Sequence, residues 1–171
     1  MTELIKVIAF LVQDYLQLPE GRGVIYNQKW LIPQDDGLFF AVQYIGEKRF
    51  GTKRVYIDDP TNPGGLIEVQ GSQTQEMYQI DLFSKDSSAR EREHEVVFAL
   101  NSTLSQQLQE QYSFQIGPLP SAMNDVSQVE GAARLNRYAI TFKCLRAYRS
   151  ERLVPAYTDF QIPPKSLLTN P

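Results

Sequence analysis

The sequence predicts an α+β fold: an antiparallel β-sheet packed against two main helices, with long loops and an extended C-terminal arm. Two segments, residues 3–17 and 88–112, carry apolar side chains at helical spacing. Two others, residues 73–84 and 136–149, alternate apolar and polar side chains. That period of two is typical of strands with one buried face, so helices and sheet are expected in one fold.

Length and charge limit the classes of protein that this chain can belong to. The 171 residues suit one domain, which we expect over residues 1–158, followed by an extended arm over residues 159–171. The formal net charge of −3 argues against a protein that wraps nucleic-acid phosphates, because that function needs a basic surface. This negative charge still allows the protein to lie close to DNA without binding it tightly.

The first helix is predicted over residues 3–17. Its apolar residues recur every three or four positions: Leu4, Ile8, Leu11, Val12 and Tyr15. Pro19 and Gly21 end it. The apolar run is too short to span a bilayer, so we expect a protein that is made in the cytoplasm and contacts no membrane.

Residues 18–37 show no clear period and contain Trp30. A structureless stretch of this length is typical of a binding loop or arm. Two interpretations of Trp30 stay open: it covers the edge of the core, or it anchors an interface with another protein.

The middle of the chain predicts strands. Four strand segments are expected, over residues 38–46, 53–58, 66–70 and 73–84. A turn at Gly51 separates the first two, and the run DDPTNPGG from Asp58 to Gly65 is a loop. In the last segment Tyr78, Ile80 and Leu82 share one face, which we expect to be buried.

The second half predicts one long helix followed by a strong strand. The helix covers residues 88–112, where Ser88 and Glu91 have the spacing of a capping box. The strand covers residues 136–149, and a turn near Ser150 leads to a short returning strand over residues 152–157.

No arrangement in the sequence supports catalysis. Cys144 alternates with Ile140 and Phe142, so we expect it in the core, where a thiol is inert. His94, the one histidine, is expected to be a solvated helix residue. Neither a second cysteine nor a second histidine is present to complete a metal site, and one cysteine cannot form an intrachain disulfide. We therefore expect no catalytic residue, no metal and no cofactor, and a protein that is not an enzyme.

Three runs of the sequence stand out: QEMYQIDLFS at residues 75–84, Ala89-Arg-x-Arg-x-x-Glu-Val96, and EGAARLNRY at residues 130–138. Together they resemble the neck and tail-terminator proteins of tailed bacteriophages. The resemblance covers roughly residues 73–149. It implies a structural virion protein that forms a ring, commonly of six copies, at the head–tail junction. Such a ring terminates the tail, connects it to the neck and surrounds the channel through which DNA passes.

Other functions stay open beside the tail terminator. The chain could be a neighbouring head- or tail-completion protein, also called a connector, in the same particle. It could instead be a small binding module or enzyme of the host, which an acidic cleft with perturbed carboxylates would favour.

The resemblance also implies partners and surfaces. We expect the chain to bind itself in a hexameric ring, the tail tube or sheath, and neck or connector proteins, while DNA passes without specific binding. The candidates for lining the channel are acidic: Asp58, Asp59, Glu68 and Glu76. The candidates for the interface are apolar: Trp30, Phe160, Ile162, Leu167 and Leu168. We predict that residues 159–171 lie along a neighbouring subunit or an adjoining protein. The alternative is that they cover their own domain.

Overall fold

The structure, a computed structural model, describes residues 3–26, 35–130 and 133–154, the side chains of 128–134 excepted. Within these ranges three helices and seven strands form. The helices are α1 (Leu4–Tyr15), α2 (Ser88–Leu100) and α3 (Thr103–Tyr112). The strands are β1 (Gly23–Ile25), β2 (Phe39–Asp58), β3 (Leu66–Ser84), β4 (Phe114–Ile116), β5 (Asn124–Asp125), β6 (Gln128–Glu130) and β7 (Ala133–Val154).

The sheet has the neighbour order β1-β2-β3-β7-β4, and β5 and β6 also pair with β7. Strand β1 runs parallel to β2, whereas β4, β5 and β6 run antiparallel to β7. Ring contacts show that β2 and β3 are antiparallel: Phe39 stacks on Phe83, and further along β2 the Tyr44 ring meets Tyr78, which lies earlier in β3. The predicted α+β class, with helices on a mostly antiparallel sheet, is confirmed.

The core lies between the helices and one face of the sheet. Helix α1 contacts both α2 and α3, and all three contribute buried apolar side chains. Those on the helices include Leu4, Ile8, Leu11, Val12, Val96, Leu100 and Leu108. Those on the strands include Phe40, Val42, Tyr78, Ile80, Leu82, Tyr138, Ile140, Phe142 and Cys144. The period-two pattern therefore predicted the buried face of β3 and β7 correctly.

The predicted single helix over residues 88–112 is wrong, because two helices meet at Asn101 and Ser102. The Ser102 side chain caps α3 by accepting a hydrogen bond from the Ser105 backbone N–H at 3.1 Å. A serine hydroxyl that bonds to the backbone competes with helix continuation. Ser87, rather than Ser88, stands at the N-cap position of α2, but its side chain makes no capping hydrogen bond to the backbone. Its hydroxyl instead donates to the Glu91 carboxylate at 2.6 Å.

The predicted breaks in the strands are also wrong. Strand β2 continues through Gly51, which adopts a φ of 69°, and β7 continues through Ser150 to Val154. Glycine accepts a positive φ without steric cost, so this residue can stay in a strand instead of making a turn. The predicted returning strand therefore does not form over its described part, residues 152–154. The rest of it lies outside the described residues.

The chain divides into two compact units. One comprises Met1–Phe50 with Gln73–Ala147 and contains the helices and the core. The other comprises Gly51–Ser72 with Tyr148–Pro171. We call the described part of the second unit, residues 51–72 and 148–154, the β-extension. The predicted boundary at residue 158 and the predicted arm over residues 159–171 lie outside the described residues.

Candidate assembly surface

The β-extension is a sheet without a hydrophobic core. It is built from the end of β2, the start of β3 and the end of β7, and an ion pair joins Arg54 Nε to Glu68 Oε1 at 3.2 Å. Among its described residues no hydrophobic side chain is buried. Four large apolar side chains are exposed instead: Tyr56, Ile57, Leu66 and Leu153. Leu153 exposes 65% of its surface, the largest exposed fraction of the four.

One face of the β-extension is aliphatic. Successive side chains of a strand point to opposite faces. The ion pair of Arg54 with Glu68 places these two residues on the same face, so their odd-numbered neighbours share the other. That second face, which we call the aliphatic face, carries Val55, Ile57, Ile67 and Val69, together with the exposed Lys53. On β7, Arg149 pairs with Glu151 at 2.7 Å, two residues before the exposed Leu153.

The turn between β2 and β3 is held by side-chain and backbone hydrogen bonds. Asp59 accepts from the Thr61 hydroxyl at 2.6 Å and from the Thr61 backbone N–H at 2.8 Å. These bonds hold the pKa of the Asp59 carboxyl below its ordinary value. The Asp59 N–H donates to the Gly65 carbonyl at 2.9 Å, which closes the loop. The turn is therefore ordered by its own residues and presents a defined end to the hairpin.

The four acidic channel candidates lie in different environments. Asp58 is exposed and Glu68 is half-buried in its ion pair with Arg54. Asp59 is 8% exposed and Glu76 is 4% exposed, so neither presents its side chain to solvent. Glu76 instead accepts a hydrogen bond from the buried Tyr78 hydroxyl at 2.5 Å. Of the four candidates, Asp58 and Glu68 are the two whose side chains are not buried in this chain.

The five apolar interface candidates, Trp30, Phe160, Ile162, Leu167 and Leu168, all lie outside the described residues. Sequence reasoning missed Ile57 and Leu153, which are the exposed apolar side chains nearest to such a role. The signal available was the run of β-branched residues at alternate positions in residues 53–58 and 66–70. That pattern predicts a strand but cannot show that its face lacks a partner.

The unit with the core contains a shallow depression of about 360 Å³ beside the end of α3. Its lining includes Gln73, Thr74, Gln115 and Arg146, and neither histidine nor cysteine is among the lining residues. The Thr74 hydroxyl is buried without a hydrogen-bond partner, so it is not offered to solvent. Glu110 and Ser113 also line it, at the end of α3.

The two residues considered for nucleophilic chemistry are where the sequence predicted them. Cys144 is fully buried among the core residues, and burial raises the pKa of its thiol to about 12. His94 is exposed on α2, where its ring meets the Phe98 ring edge-on at 5.4 Å. In the part of the chain that the structure describes, no cluster of three potential metal ligands occurs. None of the described helices is long and apolar enough to cross a bilayer.

A buried ion pair on the other face of the sheet was also missed. Asp81 is fully buried on β3, and its Oδ1 accepts from Arg137 Nε of β7 at 3.1 Å. Gln79 donates to the same carboxylate at 3.0 Å, and the Arg137 guanidinium lies 5.4 Å from the centre of the Phe83 ring. These residues lie on β3 and β7, so the ion pair joins two neighbouring strands of the sheet.

No protein-family model matches the chain, and comparison with curated proteins finds no match either.

Proposed function

We propose that the chain is a structural virion protein of a tailed phage, one subunit of a ring at the head–tail junction. The ring terminates the tail, connects it to the neck and lets DNA pass. The β-extension carries this proposal, because its exposed apolar side chains and missing core call for another protein. The likeness of residues 73–149 to neck and tail-terminator proteins gives the kind of assembly.

The physical argument concerns burial. A small sheet needs a hydrophobic face packed against something else to be stable. Among the described residues of the β-extension, the largest apolar side chains are exposed rather than buried. Packing Ile57 and Leu153 against a partner would remove apolar surface from water at about 25 cal/mol per Å². A partner that covers this surface therefore stabilises both the sheet and the assembly.

A ring is the assembly that the likeness of residues 73–149 to neck and tail-terminator proteins implies. Copies in such a ring make head-to-tail contacts, in which two different surfaces of the chain meet. Such contacts close into rings when the rotation between copies permits. The proposed partners are other copies of the chain in a hexamer, the tail tube or sheath, and the neck or connector proteins.

The proposed role requires neither catalysis nor tight binding of DNA. Cys144 lies in the core and His94 is exposed on α2, and the proposed role uses neither of them in a reaction. The net charge of −3, with Asp58 exposed, suits a wall that repels the DNA polyanion while it passes. A neighbouring completion protein would use the same apolar surface, and its position in the particle distinguishes it from a terminator.

Deleting the coding sequence from the phage that carries it tests the proposal. We expect DNA-filled heads and unattached tails, with tails of uneven length, and recovery of joined particles when the full chain is supplied in trans. Electron microscopy of the lysate measures both. Joined, infectious particles in the absence of the chain would contradict the proposal.

A further inference from the structure

We propose that the outer edge of β2, residues 43–50, pairs as a parallel strand with the outer edge of β7, residues 148–154, of a second copy of this chain. The inference rests on the proposed function, because it assigns the contact that joins one ring subunit to the next. It specifies both strands, their relative direction and their register.

Both edges lie beyond the last described strand that pairs with them. Strand β1 pairs with β2 as far as Val42, and β4 pairs with β7 as far as Arg146. Among the residues that the structure describes, no other strand pairs with β2 or β7 on these sides after those positions. Alternate residues of such an edge direct their backbone N–H and C=O groups outward, where an added strand can bind them.

A contact between these two edges joins two copies of the chain. In the sheet of one copy, β3 lies between β2 and β7. A Cβ built on Gly71 of β3 would lie 4.0 Å from the carbonyl oxygens of both Lys53 in β2 and Tyr148 in β7. The two outer edges of one chain therefore face away from each other and cannot pair with each other.

The direction of the two strands permits a ring. Tyr78 of β3 stacks on Phe142 of β7. Asp81, later in β3, pairs with Arg137, earlier in β7. Both β7 and β2 are thus antiparallel to β3 and run in the same direction. Copies that continue one sheet and are related by a small rotation keep this direction, so β7 of one copy meets β2 of the next in parallel.

The charges on the two edges match in one parallel register. On β2, Glu47 pairs with Arg49 at 3.0 Å, and on β7, Arg149 pairs with Glu151 at 2.7 Å, so the order of the signs is reversed. All four residues are exposed. In parallel strands, Glu47 can face Arg149. The same register then places Arg49 opposite Glu151, which gives two contacts between opposite charges.

The other charged residues of the two edges fit the same register. Lys48 then faces Ser150, and Arg152 faces the exposed ring of Phe50, a favourable partner for a guanidinium. A shift of one or two residues in either direction places like charges opposite each other. An antiparallel pair cannot make both ion contacts, because it reverses the order of the charges on one strand. Charge complementarity thus supports a second copy as the occupant.

Disulfide trapping between two full-length chains tests the register. In a Cys144→Ala background, one chain carries Lys48→Cys and the other carries Ser150→Cys. Under mild oxidation, the linked heterodimer should exceed either linked homodimer about tenfold, because binding raises the effective concentration only between facing positions. Thr141→Cys is the matched control for Ser150→Cys, since it is exposed on β7 but lies outside the edge, and it should show no such preference.

Three results of the trapping experiment would overturn the proposal. One is no linked product, and another is an equal preference with Thr141→Cys. The third is a preferred homodimer, because it would show that two identical edges meet around a two-fold axis.

Exchange of the charges tests the ion contacts. Glu47→Arg alone and Arg149→Glu alone should each weaken self-association of the purified chain about tenfold at low salt, as measured by sedimentation. The double variant should restore it. In the double variant, like charges stand beside each other on each strand, so recovery must come from a contact between copies. Folded variants, checked by thermal melting, that show no recovery would refute the contact.

The position of the chain in the particle separates this contact from the proposed function. Rings at the head–tail junction without the trapped linkage would refute the contact alone. The linkage and the charge recovery in a chain that lies elsewhere in the particle would support the contact and refute the proposed function.

Discussion

Asp81 and Arg137 join β3 to β7 through an ion pair with an Oδ1–Nε distance of 3.1 Å, in which the Asp81 side chain is fully buried. The Arg137 side chain remains about one-third exposed and lies over the Phe83 ring. A buried carboxylate needs such a partner, because an unpaired charge in the interior is costly. The pair therefore fixes how the two strands meet on the face of the sheet opposite the helices.

The ion pair predicts a non-additive loss of stability. Arg137→Leu should lower the free energy of unfolding by about 3 kcal/mol, because it leaves the Asp81 carboxylate buried without its cationic partner. The double variant Asp81→Leu with Arg137→Leu should lose less than the sum of the two single variants. Urea unfolding measures all three. Strict additivity would show that the pair does not couple β3 to β7.

Cys144 should be chemically silent in the folded protein. Its thiol is fully buried and its pKa is raised to about 12, so almost none is thiolate at pH 8. A thiol reagent at pH 8 should modify it only after denaturant unfolds the chain, at the rate of an ordinary cysteine. The double variant Cys144→Ala with His94→Gln should join particles nearly as well as the unchanged chain. Loss of assembly in a variant that still folds would give these residues a function that we have not assigned.

The exposed apolar residues of the β-extension should matter for assembly and not for folding. Ile57→Ser and Leu153→Ser should change the free energy of unfolding by no more than about 0.5 kcal/mol, because both side chains are exposed in the single chain. The same substitutions should abolish joining to the particle. Glu47→Gln offers a control, since it also lies on β2 and is exposed but outside the β-extension. If the Ile57→Ser or Leu153→Ser variant melted at a lower temperature but assembled normally, that side chain would contribute to folding rather than to assembly.

The Asp59 turn predicts a pH dependence with a definite sign. The pKa of the Asp59 carboxyl is lowered in the fold by the Thr61 hydroxyl and backbone N–H. The turn's contribution to stability is therefore complete above the pKa of the unfolded chain, about 3.9, and is lost as the pH falls through the lower folded value. Carboxyl-carbon NMR should show a midpoint below 3.9, and Thr61→Ala should raise it. An unchanged titration midpoint of Asp59 in the Thr61→Ala variant would show that the Thr61 hydroxyl does not lower the pKa of Asp59.

The helices and strands with one buried face were predictable from sequence, because such elements repeat their apolar residues at a regular spacing. Tyr78, Ile80 and Leu82 alternate with more polar residues, and this predicted both the strand and its core face. Residues 45–58 have no buried face, so no period marks them as one strand, and the sequence predicts a turn at Gly51 where the strand in fact continues. The break at Ser102 depends on one side-chain hydrogen bond that composition does not reveal.

The candidate surface was less predictable than the fold, for a related physical reason. A sequence shows that Ile57 and Leu153 are apolar, which favours burial, but their exposure depends on what packs against their face. One of the acidic channel candidates shows the opposite case, a charged residue that is buried. Glu76 is charged, which favours exposure, but it lies on the core face of β3 beside Tyr78 and is buried.

The most direct test of the account is a cryo-electron microscopy reconstruction of the particle that contains this chain, with the chain located by its density. The account predicts six copies in a closed ring between head and tail, each with its β-extension against the next copy. One copy, a two-fold dimer, or a position away from the head–tail junction would contradict it.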